Sequence, residues 1–451
     1  MKNNNPFFIK NSELIEKAEI MHKIATSNGI NNASVETSEN NGFSVTVRKS
    51  QIETIEKTSE KNAIITVYNG FRKGVAQTSN FSETAINDTV LKAIEIAKYT
   101  AEDKFSGLPN KDDLEFYPKQ IPLFFPWLLS PEQAIDIAME AEDAAFSASP
   151  EIKNSDGSSL STSHGHFHLI NSKGFSGGYS YSRHTLSVAP ISHYKNFMER
   201  DFWYTSARDP KELASPKKVG EYAARRALSR LGSKKISTRI VPVLFDAPLV
   251  SSLLGSFVQA VSGNSLYKNL SFLNESLGTR VFSSHVQILE DPFENGAIGS
   301  APFDAEGVRV RKRNIVVDGI LKEYFLSSYS AKRLKLRTTG NAGGSHNLKI
   351  FSKKTLSSDN LNEMLRKLNR GLFVTELMGQ GVNSVTGDYS KGAAGFWVEK
   401  GKISFPVSEI TIAGNLKNIF KNIVAIGSDQ CCRGNKSSGS MLINEMTIAG
   451  T

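Results

Sequence analysis

Three histidines, His164, His166 and His168, alternate with other residues in one short segment. In a β-strand, residues two apart project from the same face at a spacing of about 6–7 Å, so three imidazoles in this pattern could bind a metal ion. The segment is rich in Ser and Gly and has no carboxylate or cysteine beside it in the sequence. We therefore expect a solvated strand face, with a metal site as the alternative.

The two cysteines, Cys431 and Cys432, are adjacent. A disulfide between neighbouring residues is strained and closes no loop, which favours free thiols and a reducing compartment. A thiolate from this pair could serve as a metal ligand, but one thiolate cannot hold a catalytic zinc ion alone. Inert thiols are therefore the expectation.

A glycine-rich block contains Gly340, Asn341, Gly343 and Gly344. Its backbone N–H groups could approach an anion or an extended peptide closely, although the same composition also suits a flexible loop. The sequence lacks the common enzyme signatures, namely the zinc helix H-E-x-x-H, the nucleophile elbow G-x-S-x-G and the glycine-rich loops that bind phosphates and dinucleotides. The common sequence motifs therefore do not assign a reaction to this protein.

Composition and length limit the classes of protein that fit. The 451 residues suffice for two or three domains of roughly 100–200 residues each. A hydrophobic fraction of 39% and a charged fraction of 22% exclude an intrinsically disordered chain. The net charge of +9 permits a nucleic-acid partner without implying one. No apolar run reaches the ~20 residues of a membrane span, and the first residues predict no secretory signal, so we expect a cytoplasmic protein.

The first half of the chain predicts an α+β domain in which helices flank a β-meander. Apolar residues at helical spacing predict a helix over 12–28, alternating residues predict strands from 43 to 68, and a second helix begins at Ser82. These elements form a region of residues 1–104. Residues 105–232 are expected to complete the same domain with a proline-rich strap, a helix that Ser130 caps, a polar β region and a further helix.

Residues 240–451 predict a β-rich C-terminal domain with one buried helix. Asp246 is placed to cap that helix, which is the most apolar in the chain. Two hairpins follow, one with its tip at Asp318-Gly319 and another around Gly401. A short basic run, residues 309–313, is expected to be a solvated strand face.

Several sequence blocks resemble the TldD/PmbA peptidase family, and specifically its PmbA (TldE) branch. They are PFDAEGV at 302–308, TTGNAGG at 338–344, TELMGQG at 375–381, GDYSKGAAGFWVE at 387–399 and PVSEITIAGN at 406–415. With shorter blocks at 182–186 and 198–201, the similarity extends over nearly the whole chain. The resemblance implies a two-domain cytoplasmic protein that pairs with a TldD-type subunit into a zinc-dependent peptidase. Its implied substrates are unfolded or leader peptides, including microcin precursors, and a labile antitoxin.

The family's zinc helix carries H-E-x-x-x-H, with a cysteine near the C-terminus as a third ligand. When this motif is placed on the helix after Asp246, Gly255 and Ser256 occupy the positions of the first His and the Glu, and Ala260 occupies that of the second His. Cys432 lies in the region of the family's cysteine ligand. The resemblance therefore implies no catalytic residue and no bound cofactor in this chain, with zinc held by the partner subunit.

Such a subunit is expected to contribute substrate binding and assembly. Its expected substrate-binding residues are Gly340, Asn341, Gly343 and Gly344 together with Gly379, Gly381, Gly392 and Gly395. Two alternatives remain open. The chain could be a self-sufficient metallopeptidase that uses His164, His166 and His168 or Cys432, or it could be a non-catalytic regulator that binds a protein or RNA.

Overall fold

The computed structural model describes residues 5–450, which form mixed α and β structure. The helices are α1 (Asn11–Ser27), α2 (Glu83–Tyr99), α3 (Pro131–Ser147), α4 (Pro216–Ser229), α5 (Ala247–Ala260), α6 (Gly263–Tyr267), α7 (Ser328–Leu334), α8 (Leu361–Leu368) and α9 (Leu416–Lys421). Two short 3₁₀ turns span Lys111–Asp113 and Pro210–Glu212. The α+β fold class predicted from the sequence is confirmed.

Within the described residues, the strands form three sheets. The first contains β1 (Asn32–Arg48), β2 (Gln51–Asn69), β3 (Arg72–Thr78), β4 (Ile152–Asn171), β5 (Ser176–Tyr194), β6 (Phe197–Arg200) and β7 (Trp203–Ala207). The second contains β9 (Val286–Asp291), β10 (Arg313–Val317), β11 (Ile320–Leu321), β12 (Asn347–Ser352), β17 (Cys431–Arg433) and β18 (Lys436–Ser438). The third contains β8 (Arg239–Phe245), β13 (Gly371–Met378), β14 (Asp388–Glu399), β15 (Lys402–Asn415), β16 (Ile423–Ile426) and β19 (Met441–Ala449).

Local signals set the helix boundaries of the first half. In α3, the Ser130 hydroxyl accepts the N–H of Gln133, and the Gln133 side chain accepts the N–H of Ser130, so the predicted capping box is present. Helix α1 buries the apolar stripe predicted for it and stops before Gly29, whose φ of +82° suits glycine. The second helix begins where it was predicted, with Ser82 as its cap, and the predicted cap at Asp246 is present.

The N-terminal sheet has the strand order β3-β2-β1-β4-β5-β6, with β7 paired to β5. The central strands β1 and β4 pair antiparallel, so the regions 1–104 and 105–232 share one sheet. The boundaries assigned to these regions stay a prediction. One face of the sheet, called the inner face here, is covered at one end by α1 and α2 and at the other by α3 and α4.

The C-terminal half places α5 inside a single large core that includes side chains from both of its sheets. Its apolar positions, such as Val250, Leu253 and Phe257, are almost fully buried. The two predicted hairpins are present: β10 and β11 meet at Asp318-Gly319, and β14 and β15 meet at Lys400-Gly401. The outer face of the N-terminal sheet, opposite the inner face, packs against loops of this half.

Helix α4 connects the two halves through ion pairs. Arg226 lies 3.2 Å from a carboxylate oxygen of Asp201 in its own half and 3.5 Å from one of Asp246, the cap of α5. Arg230 pairs with Glu376 of β13. Because these side chains are mostly shielded from water, the attraction between them is screened less than on the surface.

Within residues 5–450, no helix is both long enough and apolar enough to span a bilayer.

Candidate functional site

Helix α5 carries the positions on which the family's metal motif falls, so its side chains decide whether a zinc ion could bind there. A Cβ added at Gly255 would meet no heavy atom within 4 Å. The Ser256 hydroxyl donates to the carbonyl of Ser252 at 3.2 Å, and Ala260 is buried in the core. Neither an imidazole nor a carboxylate stands at these three positions, so they do not fit a zinc ion. No group of three or more His, Cys, Asp or Glu with the geometry of a metal site occurs among the described residues.

The cysteines lie on β17, beside α5. Burial raises the pKa of both thiols, and for Cys431 the neighbouring carboxylates of Asp246 and Asp429 raise it further. Those carboxylates already have partners, since Asp246 pairs with Arg226 and Asp429 accepts the N–H and hydroxyl of Ser440. The environment of Cys431 and Cys432 thus favours the thiol over the thiolate that a metal requires.

The three alternating histidines are buried, so the expectation of a solvated strand face is wrong. His164, His166 and His168 are only 3–7% exposed on the inner face of the sheet, in the gap between the two helix pairs. The segment of residues 5–9 and the strap of residues 123–127 cover this gap. His184 of β5 joins the group, with its ring centroid 5.5 Å from that of His164.

Each of these rings is bonded within the chain through its Nε2 atom. His166 contacts the Glu39 carboxylate at 3.1 Å, His164 accepts the N–H of Trp127 at 3.1 Å, and His168 contacts the Ser176 hydroxyl at 2.9 Å. His184 donates to the carbonyl of Phe125. The bonds of His164 and His184 hold the strap onto the sheet, that of His166 fixes the carboxylate which holds residues 8 and 9, and that of His168 stays within the sheet. They do not direct three ring nitrogens at one ion.

Glu39 is the carboxylate that the sequence did not place beside the histidines. It lies directly opposite His166 in the β1–β4 register. Besides the His166 contact, it accepts the N–H groups of Phe8 and Ile9 and the side-chain amide of Asn41. Burial opposes the charge on Glu39, but these hydrogen bonds outweigh burial and lower its pKa.

A cavity of about 420 Å³ lies between the outer face of the N-terminal sheet and two loops of the C-terminal half. The sheet contributes Glu36, Ser38, Asn40, Phe167, Tyr179 and Tyr181, and the loops contribute residues 298–301, 303–305 and 342–346. Arg208, which follows β7, also lines it. Only Gly343 and Gly344 of the glycines predicted to bind substrate are among its walls.

The other residues of the glycine-rich block have structural tasks. Asn341 is buried and donates to Glu290 at 3.0 Å, and it also accepts a hydrogen bond from Arg313. A side chain at Gly340 would overlap the carbonyl of Arg309. Arg313 itself is buried beside Glu290 at 2.6 Å, so the expectation of a solvated basic run is wrong at that position.

The glycines between 379 and 395 belong to β13, β14 and the segment between them. A side chain at Gly381 would overlap the carbonyl of Ser390, and one at Gly395 would overlap that of Phe373. Gly392 contacts Met378, whereas Gly379 has open space around it. These residues permit close packing of neighbouring strands, and a role in a chamber shared with another subunit stays a prediction.

Sequence reasoning missed the polar residues of the cavity. The available signal was the alternation of Glu36, Ser38 and Asn40 on β1, which places three polar side chains on one face of a strand. Arg208 gave no such signal, because it lies in a connection between elements.

Comparison with known proteins covers nearly the whole chain. The PmbA/TldA metallopeptidase models match as domain 1 at 33–97, as the central domain at 125–231 and as the C-terminal domain at 238–450. The metalloprotease PmbA of Escherichia coli O157:H7 is 44% identical over 418 residues, which cover 93% of this chain and 92% of that protein.

Solved structures agree in fold. A candidate modulator of DNA gyrase from Bacteroides thetaiotaomicron superposes with a TM-score of 0.92 at 25% identity, covering 98% of this chain and all of that one. TldE from Thermococcus kodakarensis gives a TM-score of 0.84 at 19% identity, covering 97% and 100%. Together with the match to the E. coli protein, these likenesses show that the chain belongs to the PmbA/TldD metallopeptidase family, in its PmbA (TldE) branch.

Proposed function

We propose that this chain is the non-metal subunit of a cytoplasmic heteromeric peptidase, in which a TldD-type subunit supplies the zinc ion and the general base. The observation that carries the proposal is the surface of α5. A catalytic zinc site needs three protein ligands and a base for its water. The positions that supply two of the ligands and the base in the family are Gly255, Ala260 and Ser256 here. None of these three residues has an imidazole that could bind the ion or a carboxylate that could act as the base.

The contribution of this chain is substrate binding and assembly. An unfolded or leader peptide, or a labile antitoxin, presents main-chain N–H and C=O groups that can pair with exposed backbone without much dependence on sequence. Gly343 and Gly344 bring backbone to the wall of the cavity, and the exposed Gly379 provides a further point of close approach.

One other class of function has a specific observation in its favour. The Bacteroides relative of known structure is described as a candidate modulator of DNA gyrase, and the net charge of +9 is compatible with a regulator that binds a protein or RNA. Binding to RNA would depend steeply on salt concentration. Association that is strong at low salt and lost at physiological ionic strength would leave this alternative without support.

The test is reconstitution with a TldD-type subunit. Turnover of an unstructured peptide is measured for this chain alone, for the partner alone and for the pair, and then for a pair whose partner has its zinc-helix Glu changed to Gln. We expect turnover to require the intact partner and to be fastest for the pair. The variant Ser256→Ala is the matched control in this chain, and it should leave turnover by the pair unchanged. Turnover by the isolated chain, lost in Ser256→Ala, would overturn the proposal.

A further inference from the structure

The cavity beneath the outer face contains a buried cation without a carboxylate partner. Arg208 is 8% exposed and donates to the carbonyls of Ala297 at 3.0 Å, Ile298 at 2.8 Å and Ser182 at 3.4 Å. A guanidinium has five N–H groups, so two remain without a partner among residues 5–450. No Asp or Glu in that part of the chain forms an ion pair with it, and its titratable neighbours are Tyr179, Tyr181 and Arg183. Buried charges in proteins are normally paired.

The same cavity contains a carboxylate without a cation. Glu36 is half-buried on β1, and within the described chain its side chain takes part in no hydrogen bond and no ion pair. Burial raises its pKa, which is the response of a carboxylate that lacks compensating partners. Glu36 and Arg208 therefore each lack a charged partner, and both line one space.

The hydroxyls of Tyr179 and Tyr181 lie near both of these groups. The pKa of each tyrosine is raised first by burial, and the charge of Glu36 raises it further whereas that of Arg208 lowers it. The two unpaired charges thus lie around one pair of tyrosines. Tyr181 is held there by its hydrogen bond to Asn40, at 2.7 Å.

Aromatic rings form the apolar part of the wall. The rings of Phe167, Tyr179 and Phe303 pack edge to face, with centroids 4.8–6.1 Å apart. The other charged or titratable groups of the wall are already bonded to backbone. Asp304 accepts the N–H groups of residues 306, 308 and 342, and His346 contacts two carbonyls. The volume of about 420 Å³ lies in the range of small-ligand pockets.

We propose that this cavity binds a short peptide or a free amino acid by its two charged termini, with the carboxylate on Arg208, the ammonium group on Glu36 and an apolar side chain against the rings. A zwitterion satisfies both unpaired charges at once, whereas phosphate would satisfy Arg208 and be repelled by Glu36. The proposal deepens the proposed function by naming a ligand class for this chain's own cavity, and it rests on that function only in identifying the ligand as a peptide.

The test is calorimetric binding to the isolated full-length chain. The probes are the dipeptide Phe-Gly with free termini, its N-acetyl form, its C-terminal amide and inorganic phosphate. We expect the free dipeptide to bind, and each blocked form to bind about tenfold more weakly or worse, because each loses a charge-assisted hydrogen bond. Equal binding of free and blocked forms, phosphate binding as tight as that of the dipeptide, or no saturable binding would each overturn the proposal.

Variants separate the two ends of the ligand. Glu36→Gln should weaken the free dipeptide about tenfold and leave the N-acetyl form unchanged. Arg208→Lys should weaken the free dipeptide and leave the C-terminal amide unchanged. If Arg208→Lys fails to fold, the amide itself reports on the same interaction. Glu56→Gln, on the exposed part of β2, is the control and should bind as the unaltered chain does. If Glu36→Gln bound the free dipeptide as tightly as the unaltered chain does, the assignment of Glu36 to the ammonium group would be contradicted.

The outcomes distinguish this proposal from the proposed function. If the isolated chain bound the dipeptide and the reconstituted pair showed no peptide turnover, the proposed ligand of the cavity would be supported and the peptidase role contradicted. If the pair turned over peptide equally well with Glu36→Gln, and the isolated chain bound no dipeptide, the proposed ligand of the cavity would be contradicted. The peptidase role would then be supported.

Discussion

The two faces of the N-terminal sheet both bury titratable side chains, but these side chains differ in how many bonding partners the chain provides. On the inner face, Glu39 has four hydrogen-bond partners, and the imidazoles of His164, His166, His168 and His184 are each bonded through Nε2. On the outer face, Glu36 has no partner within residues 5–450, and Arg208, across the cavity, has only neutral carbonyls.

The difference shows that a cluster of buried His and Glu is not by itself a site. On the inner face, Glu39, His164 and His184 attach two extended segments, residues 5–9 and 123–127, and the carboxylate of Glu39 is bonded within the described chain. On the outer face, opposite charges remain unpaired around an open volume. Whether the chain satisfies its own buried charges is therefore the property that separates structural from ligand-binding polar groups in this protein.

The largest expected effect follows from removing Glu39. In Glu39→Ala, the N–H groups of Phe8 and Ile9 lose their acceptor, and so does the ring of His166, which remains buried. We expect the free energy of unfolding, measured by urea denaturation, to fall by about 3–5 kcal/mol, because several donors lose their acceptor at a cost of about 1–3 kcal/mol each. Glu53→Ala, whose carboxylate is largely exposed, is the control and should change it by less than about 1 kcal/mol. A loss no larger than the control's would refute the structural role of the inner face.

Acid should weaken the same face. Burial lowers the pKa of His164 to about 4, with the charge of His184 as a smaller cause, and burial also lowers the pKa of the other three histidines. The unfolded chain therefore binds more protons below pH ~6.5, so stability is fully present above that value and is lost as pH falls toward about 4. Urea denaturation between pH 7.5 and 4.5 should show this loss. His164→Gln should reduce the loss, and the exposed His193→Gln should not.

A smaller effect is expected at Gly165, where β4 packs closely against its neighbours on the outer face. A Cβ there would overlap the Asn40 amide oxygen and the ring of Tyr181. Gly165→Ala should therefore cost about 1–3 kcal/mol and shift Tyr181 from the cavity wall. If thermal unfolding of this variant matched that of the unaltered chain, the close contact across β4 would not exist.

The smallest effect is expected at Gly255 on α5, and its sign is opposite. An added Cβ meets no heavy atom within 4 Å, and alanine has a higher helix propensity than glycine. Gly255→Ala should raise the free energy of unfolding by roughly 0.5–1 kcal/mol without changing turnover by the reconstituted pair. Destabilisation would mean that this position is not open.

Sequence patterns predicted the elements better than their surroundings. The capping box at Ser130, the Asp246 cap and the Asp318-Gly319 turn are local signals, so they could be read without knowing what packs against them. The burial of the three histidines could not, because it depends on Glu39 and on residues 5–9, more than a hundred positions away. Alternation along a strand indicates which residues share a face, but it does not predict which segments cover that face or whether it is buried.

Only part of the candidate site was predictable from the sequence. The missing zinc donors at Gly255, Ser256 and Ala260 follow from the sequence once the family motif is placed on α5. The cavity does not, because it forms only where the outer face of one half meets two loops of the other. Arg208 becomes notable only when its burial and its lack of a carboxylate are both known.

The central claim is that this chain builds no metal site of its own, neither on α5 nor on the inner face. The most direct test is the zinc content of the purified isolated chain after incubation with excess zinc and removal of free metal, by atomic emission spectrometry. The account predicts far less than one zinc ion per chain, with the same value in His166→Gln and Cys432→Ser. One zinc ion per chain that either substitution removes would contradict it.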